Sequence, residues 1–126
     1  MQCAFNGFGG NMAKDDYHVI VYQILAYLYE CLKKDIKVNE KNLSYETSKY
    51  FSINKNYWSY IIINMFNAGL ITGITLTPAW GEEYPLISDL NSCRITPAGI
   101  EYLCDNSFMA KAKQFMKDVK EITPFI

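Results

Sequence analysis

The sequence predicts an α+β fold, mostly helical: a winged helix-turn-helix with a two- or three-stranded wing and extra C-terminal helices. Three observations predict it. Residues 54–68 carry a helical apolar face and stop at Gly69. Residues 70–76 are rich in Ile and Thr, the composition of a strand. After a long loop, residues 93–96 return as a short strand that runs straight into a helix opening at Pro97. A helix that stops at glycine and passes directly into a hairpin is the second half of a winged helix-turn-helix.

The elements follow in order. Residues 1–11 carry three Gly and two Asn with no period, and read as a mobile N-terminal extension. Their Gly-Phe-Gly-Gly is not a phosphate loop, because no strand precedes it and no Gly-Lys-Ser/Thr follows. Met12 is expected to be the biological start, since the helix signal begins just after it. Gly9-Gly10-Asn11 is also what a purine-rich ribosome-binding site would encode if translated. Residues 14–34 read as the first helix, with Tyr17, Val21, Ile24, Leu25, Leu28, Cys31 and Leu32 on one face. Asp15 and Asp16 in its first turn and Lys33 and Lys34 in its last suit the helix dipole. His18, on this helix, reads as a surface or core-edge residue rather than a ligand or base. Ile36-Lys37-Val38 alternates and is expected as a small third strand. Residues 44–51 are expected as a short second helix capped by Ser44.

The next helix, residues 54–68, is the best defined. Asn54 is a good N-cap, and Ile53 with Trp58 can form a hydrophobic staple. Trp58, Ile61, Ile62, Met65 and Phe66 make the buried face. The outward face holds Asn56, Tyr60, Ile63 and Asn67, flanked by Asn64 and Tyr57. Residues 70–76 are expected to pair antiparallel with residues 93–96. The intervening loop carries Trp80, Tyr84, Leu86 and Ile87, so it is expected to fold back onto the domain. Thr96 caps the helix that has Pro97 at its first position, with Ile100, Leu103 and Cys104 inward. Ser107 is expected to cap a closing helix ended by Pro124. Its stripe is Phe108, Ala112, Phe115, Met116, Val119 and Ile122, and Lys111, Lys113, Lys117 and Lys120 fill the rest. That stripe needs a surface to cover, either the first helix of its own chain or the same helix in a homodimer. The domain is thus residues 12–106, with residues 107–126 an amphipathic helix packed on it.

Composition bounds the chemistry. Half the 126 residues are apolar and 20% are charged, enough for a core. Twelve Lys and Arg face thirteen Asp and Glu. A pI near 5.8 is below that of typical nucleic-acid-binding domains, often above ~9. Cys3, Cys31, Cys93 and Cys104 lie far apart and His18 is the single histidine, so no zinc spacing exists. Free thiols imply a reducing cytoplasm. The N-terminus lacks a signal-peptide pattern, and the longest apolar stretch, residues 17–32, is interrupted by Gln23 and Glu30, short of the ~20 apolar residues of a membrane span.

Three segments resemble the YjcQ-like family of small winged-helix proteins from bacteria and their phages. They are Asn56-Tyr57-Trp58 with Ile61-Ile62, then Ala68-Gly69-Leu70-Ile71-Thr72-Gly73-Ile74, then Ile95-Thr96-Pro97-Ala98-Gly99-Ile100-Glu101-Tyr102-Leu103 with Asn106-Ser107 and the Lys-rich closing helix. The resemblance spans residues 12–124, and residues 1–11 depart from the pattern. It implies the winged-helix fold and a mobile-element setting, and it supplies no catalytic residue.

Two functions fit the fold. The first is a nucleic-acid binder, a phage or mobile-element regulator, whose helix 54–68 docks in a major groove. Asn56, Asn64 and Asn67 would read adenine edges, and Lys49 and Lys55 would contact phosphates. Against it, the helix has one cation, Lys55. The wing has Arg94 alone against Glu82, Glu83 and Asp89. Counting Lys41, Lys49, Lys55 and Arg94 as the available cations gives a log–log salt slope of about −3 to −4. The second is a protein-interaction module that binds and modulates a host protein, with Tyr60, Ile63 and Trp80 as anchors. An enzyme needs a positioned acid, base, nucleophile or metal, and no such set stands out. No cofactor is expected.

Overall fold

The structure is a computed structural model that describes residues 12–119. The extension at residues 1–11, and Lys120, Ile122 and Pro124 of the closing helix, lie outside the described residues. Among the described residues the fold is α+β, with four helices and two small antiparallel sheets.

Helix α1 is Tyr17–Lys34. It begins later than the charge pattern implies, because Asp16 is extended and acts as the N-cap residue, its carboxylate accepting from the Ala13 N–H at 3.0 Å. Residues Val19 to Leu28 are all buried, so α1 is a central element rather than a one-faced one. It ends where Asp35 turns left-handed (φ 54°) and the Ile36 N–H reaches back to the Cys31 carbonyl at 2.9 Å.

Two expected elements do not form. Residues 36–38 pair with no strand. Ile36 is exposed, Val38 is buried, and the Asn39 N–H donates to the Tyr27 hydroxyl at 2.8 Å, which ties this run to α1 instead. Three alternating residues do not form a ladder when the residue after them is tied to a side chain of a buried helix. The short helix at residues 44–51 is replaced by a 3₁₀ turn, Glu40–Asn42, and a further single turn. Ser44 and Ser48 hydroxyls accept from the N–H groups of Glu46 and Tyr50, and the Thr47 hydroxyl donates to the Lys41 carbonyl. Ser and Thr side chains that bind nearby backbone compete with helix. The segment is pinned from outside too, since the Trp58 indole N–H donates to the Leu43 carbonyl at 2.7 Å.

Helix α2, Lys55–Asn67, forms as the sequence implies. The Asn54 side chain accepts from the Tyr57 N–H at 2.9 Å, and Gly69 takes φ 78° beyond the end. Trp58, Ile61, Ile62 and Met65 are buried, with Phe66 half-buried at the edge. The strand expected at residues 70–76 is split. Strand β1, Ile71–Thr72, pairs with β4, Arg94–Ile95, in the register Ile71 to Ile95. Strand β2, Thr75–Thr77, pairs with β3, Leu86–Ser88, as Thr75 to Ser88. The break falls at Gly73, whose φ of 96° and close approach to the Ser92 carbonyl leave no room for a Cβ. The expected long loop therefore contains a second ladder and a 3₁₀ turn, Leu90–Ser92.

Helix α3 is Pro97–Asp105, with the Thr96 hydroxyl accepting from the Gly99 N–H at 2.9 Å. Cys104 is exposed rather than inward, because the nine-residue helix turns it toward solvent. Helix α4, Ser107–Val119, is capped by Asn106 rather than Ser107, its side chain accepting from the Phe108 and Met109 N–H groups. Capping one residue earlier does not change the wheel, yet Met109, Ala112 and Met116 form the buried line. Phe108 lies 45% exposed at its flank. The stripe packs on α1 of the same chain, with α3 alongside.

Candidate functional site

The outward face of α2 and the β2–β3 hairpin come together. Asn56, Tyr60, Asn64 and Asn67 are exposed and Ile63 is half-buried. They emerge on one side because the other side of the helix is committed to the core. The hairpin tip, residues 78–85, turns through Gly81 (φ 79°) and an Ala79 carbonyl that accepts from the Glu82 N–H. This turn carries its two carboxylates to the first turn of α2. Lys55 Nζ lies 3.2 Å from Glu82 Oε1, and the Asn56 amide donates to Glu83 Oε1 at 3.5 Å. The loop thus folds back through its acids and, as expected, through Ile87, which packs against the core, whereas two of the other expected side chains stay outside. Trp80 is fully exposed and Leu86 is 58% exposed.

The remaining sequence-derived candidates are used locally. Asn64 donates its amide to the Tyr60 carbonyl at 2.7 Å, within its own helix. Arg94 donates to the Asn91 and Cys93 carbonyls at 3.2 and 2.8 Å, at the hairpin base. Lys49 lies 5.5 Å from the Tyr50 ring centroid, on the turn before α2, and lines a separate cavity of about 280 Å³ with Lys14, Asp15 and Ser52. Asp89 accepts from the Thr75 hydroxyl at 2.5 Å, which braces the hairpin. Lys55, Asn56, Glu82, Glu83 and Trp80 are therefore the assembled group.

A second feature was not legible in the sequence. An aromatic run joins the α2 face to α4. Tyr60 meets Tyr17 edge-on at 6.2 Å, Tyr17 meets His18 at 5.2 Å, and His18 stacks on Phe108 at 4.3 Å with planes 6° apart. Lys111 lies over Phe108 at 5.5 Å. Burial raises the Tyr17 hydroxyl pKa, helped by Tyr102 and Tyr60 nearby. Burial also lowers the His18 pKa, opposed by the Asp16 carboxylate. His18 Nδ1 is buried with no hydrogen-bond partner among the described residues. The exposed Phe108 was hidden from sequence reading because Phe at a helix flank looks like a core residue.

Cys31 and Cys93 are buried thiols, and burial pushes the Cys93 thiol up to about 12. Such a thiol is a poor nucleophile at neutral pH. No cluster of three metal-ligating side chains occurs among the described residues, and no helix there is long and apolar enough to cross a membrane. What the assembled group offers is contact surface: an indole, amides and two carboxylates on a braced hairpin. In comparisons with known proteins, the model of a family described as YjcQ protein matches residues 22–122. No curated protein and no solved structure matches the chain.

Proposed function

The chain belongs to the YjcQ protein family, and from that premise and the geometry above we propose that it is a protein-interaction module anchored at the hairpin tip. The reading takes α2 with the hairpin as the helix and wing of a winged helix, lacking a regular α-helix between α1 and α2. It places the protein in a reducing cytoplasm, in a phage or mobile-element setting, with a binding role rather than a catalytic one.

One observation carries the proposal. Trp80 stands fully in water at the end of a hairpin whose tip is held against α2. A buried Trp removes roughly 150–250 Å² from water, worth about 4–6 kcal/mol at ~25 cal/mol per Å². Tryptophan is also the residue type enriched at interface hot spots. The same contacts weaken the nucleic-acid reading. Of the four cations counted toward phosphates, Lys55 is held by Glu82 and Arg94 by its own backbone. The partner that fits is a protein with an apolar pocket for Trp80 and a basic rim facing Glu83.

The test is affinity capture with wild-type chain and with Trp80→Ala and Glu83→Lys variants, alongside duplex DNA titration. A partner retained by the wild type and lost from both variants, whose melting temperatures match the wild type, supports the reading. Sub-micromolar, sequence-selective DNA binding at physiological salt would instead establish the nucleic-acid reading.

A further inference from the structure

A groove of about 410 Å³ opens between α1, α3 and α4, and none of its lining belongs to the hairpin tip or to the outward face of α2. Its apolar lining is made by Tyr22, Ala26 and Tyr29 of α1, Leu103 of α3 and Met109 of α4. Tyr22, Ala26 and Met109 are buried core residues beneath it, so its accessible apolar surface is that of the half-buried Tyr29 and Leu103. The volume falls in the range of small-molecule sites, which favour spaces between packed helices.

The charges at the groove are unequal. Lys33 comes from α1 and Lys113 from α4, so two ammonium groups approach from different helices. Lys33 lies 4.4 Å from the Tyr29 ring centroid. Glu30 also lines the groove, but its carboxylate is taken by Lys34 at 2.6 Å and more distantly by Lys33 at 3.8 Å. Those lysines hold the Glu30 pKa below its ordinary value. Lys113 pairs with no carboxylate among the described residues. An apolar lining with an uncommitted cation at its edge complements an apolar body bearing one negative charge. A dianion would need a second free cation, and a neutral ligand would leave Lys113 unused.

We propose that this groove binds a small monocarboxylic acid whose apolar body is about one or two fused rings in size, its carboxylate on Lys113 and its body against Tyr29 and Leu103. Lys33 closes one side. The site is independent of the partner surface argued above, so either can fail alone.

The experiment uses the full chain. The anionic fluorophore 8-anilinonaphthalene-1-sulfonate is titrated, then displaced by 1-naphthoate and by the neutral 1-naphthamide. Saturable binding at one site per chain is expected, with naphthoate displacing at least tenfold better than the amide. Lys113→Glu should weaken binding tenfold or more and Lys113→Arg should restore most of it. Ala110→Trp, a substitution at an exposed rim position, should fill the groove and abolish binding. Absence of saturable binding, equal displacement by the amide, or binding indifferent to Lys113→Glu would overturn the proposal. If Ala110→Trp proves unfolded by circular dichroism, the Lys113 pair decides alone.

Discussion

Trp58 is the sharpest place to test how this fold is held. It is 5% exposed, its ring centroid lies 5.2 Å from that of Tyr45, and its indole N–H donates to the Leu43 carbonyl. It therefore does two jobs: it fills the core beneath α2, and it fastens a segment that has no regular secondary structure of its own. Trp58→Ala removes both and should cost about 3–5 kcal/mol, the usual range for truncating a large core aromatic. Trp58→Phe keeps much of the packing but leaves the Leu43 carbonyl without its donor. An unsatisfied buried acceptor costs roughly 1–3 kcal/mol, so the Phe variant should fall near 2. The assay is urea unfolding followed by far-ultraviolet circular dichroism, which reads wild type and both variants on the same signal. A loss under 1 kcal/mol for Trp58→Ala would refute the core role. A Phe variant as stable as wild type would show that the bond to Leu43 contributes nothing net.

Three further outcomes follow from the geometry. Gly73→Ala should destabilise by more than ~1 kcal/mol, because it combines a positive φ with a clash against the Ser92 carbonyl, and equilibrium unfolding measures it. His18 has a folded pKa below its ordinary 6.5. The unfolded chain therefore binds the proton more readily, and the contribution of neutral His18 is complete above 6.5 and lost as pH falls through the lowered value. A His18→Gln variant should flatten the stability profile on the acid side of pH 6.5, and identical profiles would remove His18 as a cause. For duplex DNA, Lys41 and Lys49 are the counted cations left without an acidic or backbone partner among the described residues, so the log–log salt slope should be near −2 rather than the −3 to −4 of the full count. Glu82→Gln with Glu83→Gln frees Lys55 without adding charge and should steepen it to about −3; an unchanged slope would show that the tip does not screen α2.

What the sequence made legible was what local chemistry decides. Helix α2 carries its cap, its apolar face and its glycine stop within sixteen residues, and all three take their places. The Thr96 cap with Pro97 is equally local. The failures come from distant partners and from side chains that compete for nearby backbone. Residues 36–38 alternate like a strand, but Asn39 just after them is tied to Tyr27; residues 44–51 look helical, but Trp58 holds the Leu43 carbonyl just ahead of them and their own hydroxyls bind nearby N–H groups. Phe108 and Met109 are adjacent and both apolar, and only the position of α1 decides that Met109 goes in. Among the site residues, Tyr60, Asn56 and Asn67 fall on the surface as their wheel positions imply. Their neighbours could not be read: Lys55 meets Glu82 and Asn56 meets Glu83, each across 27 residues of chain.

That long-range contact bears on both readings of function. Lys55 and Glu82 are about half exposed, and exposed ion pairs contribute ~0–1 kcal/mol. The Asn56 to Glu83 bond is long at 3.5 Å and adds little. The tip is thus positioned by weak forces, while the indole it carries has several kcal/mol to gain from burial. A partner that buries Trp80 can move the tip away from α2 at small cost, and the same movement uncovers Lys55 and Asn56. Nucleic acid faces the opposite balance. It must displace Glu82 to reach Lys55, and the displaced carboxylates of Glu82 and Glu83 then lie close to the phosphates. The hairpin base, braced by Thr75 to Asp89 and by the Arg94 contacts, does not depend on the tip. On the proposed reading, an indole on a stiff base and a lightly held tip serves to recognise protein, and its acids would work against phosphate whichever way the tip lies.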